Sequence, residues 1–168
     1  MYSMSNLLVN VAFDMSPSSK SKYASMPYAR RSLAIACIRG REAVVSRFKD
    51  LLLSVDLTEQ QWRIMRIVYD ESQISGTELS QLSCIHKASM SRIYLVLEKR
   101  KLIQRVSSES DGRSFIVKLT AKGKKFMDIA LPKADEIYLS IISDFGEDRY
   151  LALLELLGNL ADINAKDF

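Results

Sequence analysis

Two capping boxes constrain how the middle of this chain folds. In Thr58-Glu59-Gln60-Gln61 the threonine hydroxyl can accept from an early helical N–H while the glutamine reaches back to the threonine's own N–H. A helix is therefore expected from Glu59 to about Asp70, burying Trp62, Met65, Ile67 or Val68, and Tyr69. Ser75-Gly76-Thr77-Glu78 repeats the device and opens a short helix ending near Cys84, with Leu79 and Leu82 as its buried side. After a break at Ile85-His86, Met90, Ile93, Tyr94 and Leu97 recur at helical spacing, so a further helix is expected from about Lys87 to Arg100. Two short helices joined by a tight turn make a helix-turn-helix.

Beyond Arg100 the helical period gives way. Leu102 to Val106 and Phe115 to Leu119 alternate apolar and polar residues around a polar tip containing Asp111-Gly112, the pattern of a β-hairpin with a long loop. A helix-turn-helix leading into a hairpin is a winged helix. On its N-terminal side, Ala29 to about Val55 reads as one long helix. On its C-terminal side, Thr120 caps a helix expected to kink or restart at Pro132 and to stop at Gly146. A last helix, from about Glu147 to Ile163, carries Leu151, Leu153, Leu154, Leu156, Leu157 and Leu160, an apolar side too wide for a monomer. The chain is thus expected to be mainly α: a winged helix-turn-helix with long N- and C-terminal helices forming a dimerisation region. Residues 1–27 read as a disordered tail, because Ser16 to Lys22 is polar and aperiodic. The expected domains are 28–56 with 120–168 for dimerisation and 57–119 for the winged helix.

The distribution of charge is more informative than its sum. The net charge is only +4, yet Lys87 to Lys125 holds eleven basic residues against three acidic ones. From Phe126 to the end, nine acidic residues oppose three basic ones. A basic segment that coincides with the helix-turn-helix and hairpin points to a polyanion face. Enzyme classes find little support: there is one histidine and no glycine-rich phosphate loop, metal-ligand spacing or nucleophile motif. No catalytic residue, metal or cofactor is therefore assigned. Cys37 and Cys84 are too few and too far apart for a disulfide framework and are expected as buried, reduced thiols. The apolar stretch Leu7 to Phe13 is far shorter than the roughly 20 residues of a membrane span, so no membrane partner and a cytoplasmic location are expected.

Leu57-Thr58-Glu59-Gln60-Gln61-Trp62-Arg63, Gly76-Thr77-Glu78-Leu79, Ser91-Arg92, Leu97-Glu98-Lys99, Asp111-x-Arg113 and Val117-x-Leu119-Thr120-x-x-Gly123 together resemble the MarR family of winged-helix regulators. Ser32 to Val44 resembles the subgroup that represses homoprotocatechuate and related aromatic-acid operons. Two positions depart from the usual pattern: Ser114 replaces a second wing arginine, and Ala88 stands where proline is frequent. The resemblance implies a homodimer that binds double-stranded DNA at a palindromic operator, and a small aromatic carboxylate, or its coenzyme A thioester, as effector.

On that footing the outward side of the recognition helix supplies Lys87, Ser89, Ser91 and Arg92. Arg92 is the leading base or phosphate contact, because its planar fork addresses guanine or phosphate bidentately. Arg113 reaches the minor groove or its flanking phosphates from the wing, or pairs with Asp111. Lys87, Arg105 and Lys118 add phosphate contacts. The implied effector site draws on Ser32, Arg39, Arg41 and Trp62. An arginine beside an apolar stripe needs an anion, either the effector's carboxylate or an internal acidic partner. Trp62 serves the core as readily as a ligand, and His86 is expected as a cap or surface residue. Two alternatives stand beside this reading: a redox-sensing repressor using Cys37, and a small enzyme acting on an aromatic acid.

Overall fold

The computed structural model describes residues 26–27, 30–107 and 115–164. The chain separates into an N-terminal unit ending at Gly40 and a main unit from Arg41 onward. Helix α1 is Leu33–Arg47, and among its residues none is buried. It begins four residues later than the apolar pattern suggests, with the Ser32 hydroxyl accepting from Ile35 N–H at 3.4 Å. The long N-terminal helix is also not continuous: it breaks at Phe48 and resumes as α2, Lys49–Ser54. Apolar spacing runs unbroken across this point, so periodicity alone does not show the break. Phe48, Leu51 and Leu52 are all buried there.

Helix α3, Glu59–Glu71, starts at the expected box: Gln61 N–H donates to Thr58 Oγ1 at 3.2 Å and Thr58 N–H to Gln61 Oε1 at 3.0 Å. A three-residue strand β1, Gln73–Ser75, comes next and leads directly into α4, Gly76–Ser83. The second box closes at α4, with Glu78 N–H donating to Ser75 Oγ at 3.2 Å. Leu79 is buried as expected, but Leu82 is 58 % exposed and Ser83 is the other buried residue of the helix. Cys84 ends α4 in the left-handed region at φ 51°, which turns the chain sharply toward α5, Lys87–Lys99. His86 holds the N-cap position of α5 without a side-chain capping bond.

Strands β2, Ile103–Ser107, and β3, Phe115–Leu119, form the expected hairpin, and β1 adds to its far side in the order β1-β3-β2, all antiparallel. The wing tip between β2 and β3, with Asp111 and Arg113, lies outside the described residues, as do residues 1–25 of the expected tail. Helix α6, Ala121–Phe145, runs through Pro132 as one element rather than restarting, although proline still removes one backbone donor. Gly146, at φ 91°, separates it from α7, Glu147–Asn164.

The core sits in the winged helix and the first half of α6. Ile64, Met65, Val68, Leu79, Leu97, Leu102, Ile103, Val117 and Met127 are all at most 2 % exposed. The joint between wing and α6 is tight. A Cβ on Gly123 would lie 1.9 Å from the Leu102 carbonyl oxygen, so only glycine lets α6 leave the hairpin there. Thr120 Oγ1 accepts from Gly123 N–H at 2.9 Å and donates to Lys101 O at 2.6 Å, and Lys122 Nζ donates to Arg100 O at 2.9 Å. From the other side, the Arg100 guanidinium donates to the carbonyls of Val55 and Asp56. The C-terminal end of α5 is thereby tied both to α6 and to the corner before α3.

Candidate DNA-reading face and effector pocket

Helix α5 buries Met90, Ile93, Tyr94 and Leu97. Its other side is in solvent: Lys87, Ala88, Ser89, Ser91, Arg92, Leu95, Val96 and Lys99 are exposed. The structure therefore brings four of the expected DNA-binding residues, Lys87, Ser89, Ser91 and Arg92, onto the open side of one short helix. Lys118 lies in the middle strand of the sheet, opposite Gln73 on one neighbour and Gln104 on the other. Those three side chains form the polar face of the sheet.

Arg105 sits differently. It pairs in register with Val117, so strand alternation puts it on the same face as Ile103 and Val117, both buried. Its Nε and Nη2 donate to the two Glu98 carboxylate oxygens at 2.8 and 2.7 Å. Its guanidinium lies over the Tyr94 and Phe115 rings at 5.4 and 5.3 Å, and those rings meet edge to face at 5.6 Å. The Arg105 hydrogen bonds hold the Glu98 carboxyl below its ordinary value and in return raise Arg105. Burial pushes the Tyr94 phenol up to about 12, and among the described residues its hydroxyl has no hydrogen-bond partner. Arg105 thus ties the wing to the recognition helix through the i/i+2 parity it shares with Ile103.

The second site is a cavity of about 360 Å³ in the main unit, walled by the end of α1, α2, α3, α4 and α6. Phe48, Leu52, Trp62, Ile67 and Leu82 form its apolar walls, and Glu59, Arg63, Arg66, Asp70 and Tyr138 are its polar groups. Arg66 Nη1 donates to the Tyr138 hydroxyl at 2.8 Å, with the guanidinium 5.1 Å from the centre of that ring. Tyr138 also packs edge to face on Phe48 at 5.0 Å. Trp62 is 4 % exposed, and among the described residues its indole Nε1 has no hydrogen-bond partner. Arg63 is saturated by Glu59 and by Ser83 O at 2.6 Å. Arg66 differs from it: among the described residues no carboxylate forms an ion pair with the Arg66 guanidinium.

Of the expected effector residues, Trp62 lines this cavity. Arg41 is exposed and held by acidic partners, Glu42 at 2.8 Å and Glu59 at 2.7 Å. Ser32 and Arg39 belong to the N-terminal unit. Arg66 and Tyr138 are not among the residues that sequence reasoning selects. Arg66 lies one helical turn beyond Trp62, a signal the sequence does contain, whereas nothing local marks Tyr138. The expected burial of the cysteines is corrected: Cys37 and Cys84 are both exposed, Cys84 because it occupies the left-handed end of α4. Among the described residues no group of acidic, histidine or cysteine side chains could hold a metal. Among those residues, too, no helix is long and apolar enough to cross a membrane.

A family model described as the MarR family matches residues 57–115, from just before the α3 cap to the first residue of β3. The chain is 33 % identical over 132 residues to the HTH-type transcriptional regulator FarR of Neisseria gonorrhoeae, covering 79 % of this chain and 90 % of the relative. The chain belongs to the MarR family. It is accordingly a winged-helix transcriptional regulator and not an enzyme. It is also 32 % identical over 126 residues to the homoprotocatechuate degradative operon repressor of Escherichia coli, covering 75 % of this chain and 85 % of that one. The solved structure of NadR in complex with 4-hydroxyphenylacetate superposes with a TM-score of 0.73 at 34 % identity, covering 79 % of this chain and 94 % of that one.

Proposed function

We propose that this MarR-family chain is a cytoplasmic, homodimeric repressor of an aromatic-acid catabolic operon, released from a palindromic operator by an aromatic carboxylate bound beside Arg66. The observation that carries this reading is the pairing of a cavity-facing guanidinium with the Tyr138 hydroxyl, beside the Trp62 Nε1 that has no partner among the described residues. A carboxylate satisfies Arg66, the apolar walls take an aromatic ring, and the site is within the size range of small-molecule pockets. A coenzyme A thioester would place only its acyl end in a space of this size. The similarity to a repressor named for homoprotocatechuate degradation and to a regulator bound to 4-hydroxyphenylacetate supports the same ligand class.

DNA recognition rests on Arg92 with Lys87, Ser89 and Ser91 from α5, Lys118 from the sheet and Arg113 from the wing. Arg105 contributes by fixing the wing to α5. Dimerisation is supported by α7, whose Leu151, Leu154, Leu156 and Ile163 are each more than half exposed. Release is a consequence of where the cavity lies. Its walls include α3, which leads into the helix-turn-helix, and α6, which leaves the wing. A ligand that favours one spacing of these helices favours one spacing of the two recognition helices, which must match half-sites about 34 Å apart.

Calorimetric titration of monocyclic aryl carboxylates into the purified chain tests the pocket. Binding is expected for the wild type, loss of at least about tenfold for Arg66→Ala, the scale of one hydrogen bond to a charged group, and about five- to tenfold for Tyr138→Phe, the scale of one ordinary hydrogen bond. Equal affinity in Arg66→Ala would contradict the assignment. The exposure of Cys37 is the one observation in favour of the oxidant-responsive alternative. Its signature is operator release by peroxide that disappears in Cys37→Ser.

A further inference from the structure

The outward face of α5 is not uniformly polar. Ala88, Ser91, Arg92 and Leu95 stand at i, i+3, i+4 and i+7, one contiguous patch opposite the buried Met90, Ile93, Tyr94 and Leu97. Lys99 continues the same line one turn further on. Leu95, in the middle of this basic side, is 62 % exposed. Side chains on a helix lean toward its N-terminus, so Leu95 covers the surface over the turn of Ser91 and Arg92 rather than over its own Cα. Ala88 covers the first turn of the helix on the same line. The patch thus holds a guanidinium and a hydroxyl between two apolar groups.

We propose that Leu95 and Ala88 read thymine 5-methyl groups on either side of the base pair addressed by Arg92, which makes Leu95 a specificity-determining residue. The inference rests on the DNA-binding reading and deepens it. In the major groove the thymine methyl is the apolar feature of the base edges, and small apolar side chains are its natural partners. The N-terminal half of a recognition helix is the part that meets base edges, and the lean of Leu95 brings its methyl groups into that half. Polar and apolar contacts then divide the work: Lys87, Arg92 and Lys99 draw the helix to the duplex, while Leu95 and Ala88 supply contacts that no phosphate can satisfy.

The full chain is used to select a binding site from a pool of random duplexes. Each thymine of the recovered site is then replaced by uracil, which removes the 5-methyl group alone. The expected result is a loss of about three- to fivefold at one or two thymines per half-site, the scale of burying one methyl. At one of these the loss is expected to vanish in Leu95→Ala, whose position on the helix surface leaves the fold intact. A recovered site without thymine in the half-sites overturns the proposal. So does uracil substitution that leaves affinity unchanged everywhere, or a uracil penalty that is the same in Leu95→Ala. Failure to recover any site contradicts the DNA-binding reading itself, and the inference falls with it.

Discussion

The winged helix and the C-terminal helix solve the problem of apolar surface in opposite ways. Between Leu57 and Leu119 most of the large apolar side chains of α3, α4 and α5 close on one another and on the sheet, Leu82, Leu95 and Val96 excepted, and Ile64, Met65, Val68, Leu79, Leu97 and Val117 are sealed from solvent. In α7 the leucines are in solvent: Leu151, Leu153, Leu154, Leu156 and Leu157 are all between 40 and 66 % exposed. The first region is complete within one chain. On the proposed reading the second is complete only when a second copy covers it, so that one part reads DNA and the other sets how far apart two readers stand.

The largest effect is expected from breaking the exposed side. Leu154→Glu with Leu157→Glu places charges from both copies in a two-fold interface, where unpaired burial costs several kcal/mol per group. Sedimentation should show a monomer with its winged helix still folded. A stable dimer would mean that α7 is not covered by its copy. Next comes the closed side. Gly123→Ala must push the Leu102 backbone aside, and a loss of about 3 kcal/mol is expected in denaturant unfolding, since backbone strain belongs to the severe class of substitutions. Arg92→Ala should leave both regions folded and weaken operator binding by about ten- to a hundredfold, the scale of one bidentate contact.

The smallest effect concerns the tie between wing and recognition helix. Glu98→Gln should cost about 0.5–1 kcal/mol of stability, as for a partly exposed ion pair. Because the Arg105 hydrogen bonds lower the Glu98 carboxyl from 4.5, this contribution is fully present above that value and is lost as pH falls through the lowered folded-state value. Wild type and Glu98→Gln should therefore converge in acid and differ at neutral pH. Arg105→Ala sharpens the point. If Arg105 positions the wing, affinity falls but the slope of log affinity against log salt stays the same. A phosphate contact would lower that slope by about 0.9.

The closed region is the more legible one. Its helix starts are written locally, in Thr58 with Gln61 and Ser75 with Glu78, and its hairpin in period-two alternation. The features that sequence does not show depend on partners distant along the chain. Strand β1 is three residues long and exists because β3 offers it an edge. The break at Phe48 is invisible to a pattern that continues across it. Arg66 shares a helix face with Trp62 and is within reach of sequence reasoning, but Tyr138 joins the pocket only because α6 folds back over α3. Arg105 carries a readable clue in its parity with Ile103, outweighed by the expectation that a wing arginine meets phosphate. Cys84 is expected inside because thiols usually are, and its left-handed corner places it outside.

On the proposed reading, a carboxylate at Arg66 decides whether two recognition helices fit one operator, because α3 and α6 both line the pocket. Fluorescence anisotropy of a pre-formed operator complex, titrated with monocyclic aryl carboxylates on wild type and Arg66→Ala in parallel, tests this most directly. Release of the wild type is predicted for at least one such acid, with a complex of Arg66→Ala that persists at the same concentration. Release of both alike, or of neither by any acid in the series, would contradict it.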